Sequence, residues 1–552
     1  MNAALSDLRM QVMWTRLISI VEEQAQTLMR TAFSTTVRDA GDLSAAVFDT
    51  RGRLVAEAVT GTPGHVNSMA SGVRHFLDKF PVPTMADGDH YITNDPWLTA
   101  GHLHDVTVMT PVFHRGEVAA ILGVCCHQVD IGGLGQGPDG RSIFEEGLQI
   151  PLLKLASKGV INEDLLAILR QNVRTPLQVE GDVLSYVTSN NAGARRLRAM
   201  LEEYDLPGLT PLADYIIDHS LAATKAALAK LPQGSWSSEM TIDGYDRPIT
   251  LRATLTISGE SLLVDYDGTD PAVQRGINVV MNYARAYTVF GLRCVLTPET
   301  PNNDGALAPF GVTAPLGSIL NVERGWPVAA RHVIGQMLPD VVFGCLAQAL
   351  PGLVPAEGSS CLWSVQLRGR AESAGGNAPG LAFDTVFFNS GGSGGRPGQD
   401  GLSGTAFPSG VRAMPVEVSE AGAPIVIWKK ELNVDSGGVG EHRGGLGQIV
   451  EVGARGDAPF EVLAMFERVD RPARGRDKGG DAAPGRVRLK SGTPMRAKGL
   501  QAIPRGDRLV LEVPGGAGLG DARARHPDRV RADVEAGFVS AEVAAADYGW
   551  TG

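Results

Sequence analysis

Two short segments pair an imidazole with a carboxylate at one spacing: His102 with Asp105, and His127 with Asp130. Both lie in residues 94–133, NDPWLTAGHLHDVTVMTPVFHRGEVAAILGVCCHQVDIGG. Neutral imidazole and carboxylate are donors that borderline divalent ions such as zinc or manganese accept. The spacing alone fits ordinary polar strand ends equally well, so the elements between the pairs have to decide. Residues 106–113 and 118–125 are both strand-like, and His114-Arg115-Gly116-Glu117 between them suits a four-residue hairpin loop. Pairing Phe113 with Val118 sets Asp105 opposite Cys126 and His104 opposite His127, to within one residue of register. The two acid–imidazole ends then meet at the open mouth of one hairpin, where facing Cβ atoms are about 5 Å apart. Residues three apart on a straight strand point to opposite faces, so each His-x-x-Asp segment has to bend. Gly101 on one side and Gly132-Gly133 on the other permit that bend.

Around this hairpin the periodicity predicts an amphipathic helix over 7–33 and a hairpin from 44–49 and 53–58. Helices follow at 65–80, 161–172, 181–204 and 211–231. Residues 237–267 alternate apolar and polar positions between turn signals, as meandering antiparallel strands do. Further helices are expected at 284–296 and 332–349. A glycine-rich stretch spans 371–412, strand patterns return over 413–452, and the tail beyond 520 reads as polar helix. The fold class expected is α+β, multi-domain, with mixed helices and largely antiparallel sheets. The expected division is 1–235 (metal-binding), 236–412 (middle α+β) and 413–552 (β-rich with a helical tail).

Composition narrows the function classes. Hydrophobic residues form 43% and charged residues 20% of the 552, which describes a globular chain rather than a disordered one. The net charge is −11, and no basic stripe carries interleaved aromatics, so nucleic acid is not the expected partner. Five cysteines without metal-type spacing suit reduced thiols, and no apolar run reaches 18 residues; a cytoplasmic protein off the membrane is expected. The 68 glycines, about 12% of the chain against roughly 7% in average proteins, are clustered.

Several motifs fail on context. Gly391-Gly392-Ser393-Gly394-Gly395 matches Gly-x-Ser-x-Gly, but Arg396-Pro397-Gly398 follows where a nucleophile elbow needs a helix. Residues 135–140, GQGPDG, fit the dinucleotide fingerprint literally, yet Pro138 spoils the strand–turn–helix setting. No Walker-type loop is present. The glycine-rich segments 435–447 and 514–520 suit either anion binding through backbone N–H groups or tight structural turns, with Arg443 a candidate anion contact.

Asn94-Asp95-Pro96, the Gly-His-Leu-x-Asp of residues 101–105 and the His-x-x-Asp-Ile-Gly-Gly of residues 127–133 resemble the hydantoinase B/5-oxoprolinase family. That family includes subunits of N-methylhydantoinases, caprolactamases, and acetone and acetophenone carboxylases. Residues 38–49, 64–69 (GHVNSM), 415–420, 435–447 (DSGGVGEHRGGLG), 514–521 (PGGAGLGD) and 533–540 followed by Tyr548-Gly549 extend the likeness along the chain in the same order. The resemblance implies a divalent metal, zinc or manganese, on His102, Asp105 and His127. Asp130 and Asp42 are candidates for a further ligand, an orienting hydrogen bond or a proton acceptor, and His65 for acid–base chemistry or substrate contact. His104 replaces a usual proline and Gly101 a frequent threonine, which leaves the full ligand set open. The resemblance further implies a larger hydantoinase A-like subunit that binds ATP with magnesium. The expected reaction is opening of a cyclic amide such as a hydantoin, 5-oxoproline or a lactam. The alternatives are ATP-dependent carboxylation of a ketone, or a scaffold whose metal is structural.

Overall fold

A computed structural model describes residues 3–370, 382–456 and 458–552, so part of the glycine-rich stretch 371–412 lies outside the described residues. Its first sheet has seven strands: β1 (Leu43–Phe48), β2 (Leu54–Glu57), β3 (His90–Thr93), β4 (Asp105–His114), β5 (Glu117–His127), β6 (Leu153–Ser157) and β7 (Val160–Ile161). Their order is β2-β1-β5-β4-β3-β6-β7, and every pairing is antiparallel.

Both faces of this sheet are covered, and strand alternation assigns each residue to one of them. Ala45, Val47, Leu122, Val124 and Cys126 share a core with residues of α1 (Ala3–Thr31) and, beyond the short α2 (Thr35–Arg38), of the later helix over Pro176–Glu203. Their neighbours Ala46, Phe48, Ile121 and Cys125 turn the other way, onto Val66, Met69, Val73 and Phe76 of α3 (Pro63–Lys79). Helix α4 (Glu163–Asn172) precedes α5 (Pro176–Glu203), and α6 (Thr210–Leu228) follows it. The adjacent Cys125 and Cys126 therefore point to opposite faces, and all five cysteines are free thiols.

The expected meander at 237–267 is β8 (Gly234–Ile242), β9 (Ile249–Ser258) and β10 (Ser261–Asp265); β11 (Phe310–Thr313) joins it parallel to β10. Helix α7 (Met281–Leu296) and the short α8 (Asp304–Leu307) come next in the chain. The helix expected over 332–349 is broken into α9 (His332–Gly335) and α10 (Leu338–Ala349), the second with proline in its first turn, where its missing N–H costs nothing. One apolar core runs from Met13 to Val354 and takes in Cys361 and Met465, joining the first two sheets.

Two four-stranded antiparallel sheets complete the fold. Strands β12 (Trp363–Arg370), β13 (Ala382–Asn389), β16 (Phe460–Met465) and β18 (Lys498–Ile503) form one. Strands β14 (Ile425–Leu432), β15 (Gln448–Ala454), β17 (Arg486–Leu489) and β19 (Leu509–Glu512) form the other. They enclose a second core built mainly from residues 362–513. The architecture is α+β with several, largely antiparallel sheets. Among the described residues no helix is long and apolar enough to cross a membrane.

Candidate metal centre

The β4–β5 hairpin starts as the sequence predicts, with Phe113 opposite Val118, and then slips by one residue. Val112 pairs with Ala120, so Ala119 is an extra residue on β5, and Asp105 faces His127 rather than Cys126. This bulge is decisive. Partners across an antiparallel pair share a face, so without it Asp105 and His127 would lie on opposite sides of the sheet. The carbonyl of Ala119 accepts the N–H of Leu209, at the start of α6, at 3.1 Å. A tertiary contact thus satisfies the backbone group beside the register shift.

The shared face is the one α3 covers, and α3 carries His65 in its first turn. Asp42, just before β1, closes the same side, where its carbonyl accepts the His127 N–H at 3.1 Å. On the fourth side the chain ahead of α9 brings in Ala329 and Arg331, and α9 itself brings in His332. All the side chains of this cluster are buried.

Asp105 is its hub. One carboxylate oxygen, Oδ1, lies 2.8 Å from His102 Nε2 and 3.3 Å from His127 Nδ1. The other, Oδ2, is 3.0 Å from His65 Nε2 and receives the Arg331 guanidinium. His65 Nε2 also stands 3.7 Å from Asp42 Oδ1. The guanidinium lies 3.9 Å over the Tyr283 ring and donates through Nε to the Ala100 carbonyl at 2.6 Å. Gly101 makes that approach possible: its φ is +93°, and a Cβ there would fall 2.8 Å from Arg331 Cδ.

The imidazole of His102 is oriented from behind. Its Nδ1 lies 2.9 Å from the Ala329 carbonyl, which only accepts, so Nδ1 carries the hydrogen and the Nε2 lone pair faces the centre. The Ala329 peptide is pinned in turn, because the buried Glu146 carboxylate accepts N–H groups from Val328 and Ala329 at 2.7 and 2.9 Å. Burial, then the Arg331 charge, push the His102 pKa down to about 4 against the pull of Asp105, so the ring is neutral at physiological pH. Burial works against charge on Asp105, but His102, His65 and Arg331 outweigh it and hold the carboxyl well below its usual range. Burial disfavours charge on His65 too, yet Asp105 and Asp42 prevail and raise its pKa.

These groups fit a divalent ion. The ligand atoms of His102, Asp105 and His127 lie within 4.8 Å of one another, and His102 Nε2 is buried without a hydrogen-bond partner. His65, Asp105 and Cys125 form a second compact set, but burial holds the Cys125 thiol well above its usual pKa, which disfavours the thiolate a metal requires. His104 belongs to neither set. Its ring stacks 5.4 Å from that of His127, and both its nitrogens lack partners among the described residues.

Asp130 stands apart from the cluster. Its carboxylate accepts the Gly132 N–H at 2.9 Å and is clamped by the Arg174 backbone and guanidinium, the latter at 2.7 Å. Arg443 is likewise engaged, buried 3.4 Å from Asp533. Arg331, His332 and Glu146 escaped sequence reasoning, because they meet the hairpin only through the tertiary fold. An Arg-His pair at the start of a helix is the one local hint the chain offers.

The chain belongs to the Hydantoinase B/oxoprolinase family, whose pattern matches residues 6–522. An uncharacterised protein of Methanocaldococcus jannaschii is 30% identical over 542 residues, covering 96% of this chain and 93% of the relative. One subunit of a putative D-/L-hydantoinase from a Pseudomonas species is 28% identical, covering 98% and 94%. A 5-oxoprolinase of Arabidopsis thaliana is 27% identical over 92% of this chain, which corresponds to 41% of that longer protein. Among solved structures, the ATP-dependent caprolactamase of Pseudomonas jessenii superposes with a TM-score of 0.88 at 25% identity, covering 98% of this chain and 96% of the other. An acetone carboxylase chain shares the fold, with a TM-score of 0.84 at 19% identity and coverage of 98% and 79%.

Proposed function

We propose that this chain is the metal-binding subunit of an ATP-dependent enzyme that opens cyclic amides, a hydantoin, 5-oxoproline or a lactam, together with a larger hydantoinase A-like subunit that binds ATP and magnesium. The observation that carries the reading is the convergence of His102, Asp105 and His127 around one point, with the His102 tautomer fixed by Ala329. The near-complete mutual coverage with a caprolactamase supports amide opening over ketone carboxylation, since the carboxylase chain is covered over only 79% of its length.

In this reading His102, Asp105 and His127 would hold zinc or manganese, which would supply Lewis-acid polarisation of an amide carbonyl. Arg331 keeps Asp105 ionised and fixes which oxygen faces the ligands. His65, held between Asp105 and Asp42, stores a proton beside the reacting group. Asp42 shares that proton or completes the ligand set. Asp130, bound to Arg174, braces the turn after β5 and takes no part in proton transfer. Tyr283 and Tyr287 wall the cavity and limit water around it.

The test is to purify this chain alone and with its companion, load both with metal, and assay cyclic amides and ketones with and without ATP. Substrate-dependent ATP hydrolysis only in the complex, with amides, is the expected result. Robust ATP-independent turnover by the lone chain would make it a self-sufficient metallohydrolase instead. Normal turnover by a metal-depleted complex would reduce this subunit to the role of scaffold.

A further inference from the structure

The first turn of α3 separates two cavities. His65 faces the metal centre, while Val66 and Asn67 face a second space of about 420 Å³ between α3 and α7, and Thr62 lines both. That volume lies within the range of small-molecule sites, roughly 300–1,000 Å³. Val66 and Phe290 give it an apolar side. Its polar side is a connected row: Asn302 donates from Nδ2 to Glu57 Oε2 at 2.6 Å and to Asn67 Oδ1 at 2.8 Å, and its Oδ1 accepts from Arg293.

This row is incomplete in a specific way. Arg293 Nε–H and the hydroxyls of Thr62 and Thr297 are buried with no partner among the described residues, and the half-buried Glu57 meets Asn302 through Oε2 alone. All four residues line this one cavity. Buried polar groups left unpaired cost about 1–3 kcal/mol each, so they mark a place where another molecule is expected. The unmet needs are one acceptor, the carboxylate, beside several donors. A secondary amide answers them, donating its N–H to Glu57 and accepting at its carbonyl from Arg293 or Thr297. Asn302 bridges Glu57 to Arg293, and burial raises the Glu57 carboxyl to about 7, so a neutral ligand suits this row in either state of that carboxyl.

We propose that this cavity is a docking site for a small, neutral, secondary carboxamide, recognised through its N–H by Glu57, one helical turn away from the metal centre. That the docked molecule is the enzyme's substrate rests on the function proposed above; that the site binds amides does not.

The experiment uses the full chain, with 2-pyrrolidinone as probe, read by ligand-observed NMR and titration calorimetry. Binding to the wild type and, unchanged, to His102→Ala is expected. N-methyl-2-pyrrolidinone, which lacks the N–H, should bind about tenfold more weakly, the loss of one hydrogen bond. Glu57→Leu should abolish the preference between the two probes, and the milder Thr297→Val should weaken both. Equal affinity for the two probes in the wild type overturns the proposal, and so does the absence of binding, which would mean that the cavity holds only water. Binding lost in His102→Ala but kept in Glu57→Leu would place the amide at the metal centre, overturning this site while leaving the proposed function standing.

Discussion

The histidine cluster and the glycine-rich junction near residues 391–401, 435–447 and 514–520 handle buried polar groups in opposite ways. In the junction, chain segments pack backbone to backbone. Gly392 donates to Pro514, Gly445 to Ser393, Gly516 to Gly445 and Gly395 to Ala517, all at 2.8–3.2 Å. A Cβ on Gly392 would lie 1.9 Å from the Gly445 carbonyl oxygen, and one on Gly444 1.9 Å from that of Gly516. The glycines are there so that backbones can touch, and the N–H groups of Gly392, Gly395, Gly445 and Gly516 are given to carbonyls rather than to an anion. Around Asp105 the reverse holds: nitrogens of His65, His102, His104 and His332 are buried without hydrogen-bond partners. A region whose backbone groups bond one another is built for rigidity, with His442 Nδ1 its single-atom exception, whereas several unmatched nitrogens gathered round one carboxylate mark where a ligand belongs.

The sharpest way to break this contrast is Asp105→Asn. Removing the hub should empty the metal site and lower turnover of the complex on the order of a hundredfold or more. It should also destabilise the chain by about 3–5 kcal/mol, because it strands the Arg331 guanidinium in a buried site. Elemental analysis, steady-state kinetics and denaturant unfolding read the three effects. Metal content equal to the wild type would show that the cluster is not the metal centre.

A somewhat smaller effect tests the electrostatics. His102 binds a proton only near pH 4 in the folded chain, against about 6.5 when unfolded. As pH falls through that window the unfolded state takes up the proton first, so the metal-free chain should lose on the order of 3 kcal/mol from this group. His65 works in the opposite sense: its pKa is raised, so its contribution is complete below about 6.5 and is lost as pH rises past its folded value. In unfolding curves taken from pH 7 to 4, His102→Gln should flatten the acid limb. An unchanged slope would mean that the ring is solvated.

Gly444→Ala probes the other region. Overpacking against a carbonyl should cost about 1–3 kcal/mol, with full metal content retained. Loss of metal in this variant would couple two regions that the contacts keep separate. The smallest effect is expected of Asp130→Asn. It should leave metal content unchanged and cost about 1 kcal/mol or less, since Arg174 is 39% exposed at its side chain. A collapse of metal binding would return Asp130 to the site.

Much of the frame was legible from local signals. Helical periodicity marked α1, α3, α5 and α7 to within a few residues, and alternation marked the meander at 237–267, because each such element buries a face of its own. The pairing of the two ligand-bearing strands was legible too, since a short loop between two apolar runs leaves little choice. Residue chemistry and family resemblance singled out His102, Asp105 and His127, which the fold does bring together.

What the sequence by itself determined, then, was which residues could bind a metal and which hairpin carries them. The tertiary structure decided that they meet. The bulge at Ala119 puts Asp105 and His127 on one face, and its carbonyl is met by Leu209, some 90 residues further along the chain. Arg331 and the Ala329 carbonyl, which set the charge and the tautomer of the site, arrive from more than 200 residues beyond the hairpin. Local patterns report what a segment does with its own neighbours. Register parity and the satisfaction of buried charge depend on partners distant in sequence, so only the assembled fold could fix them.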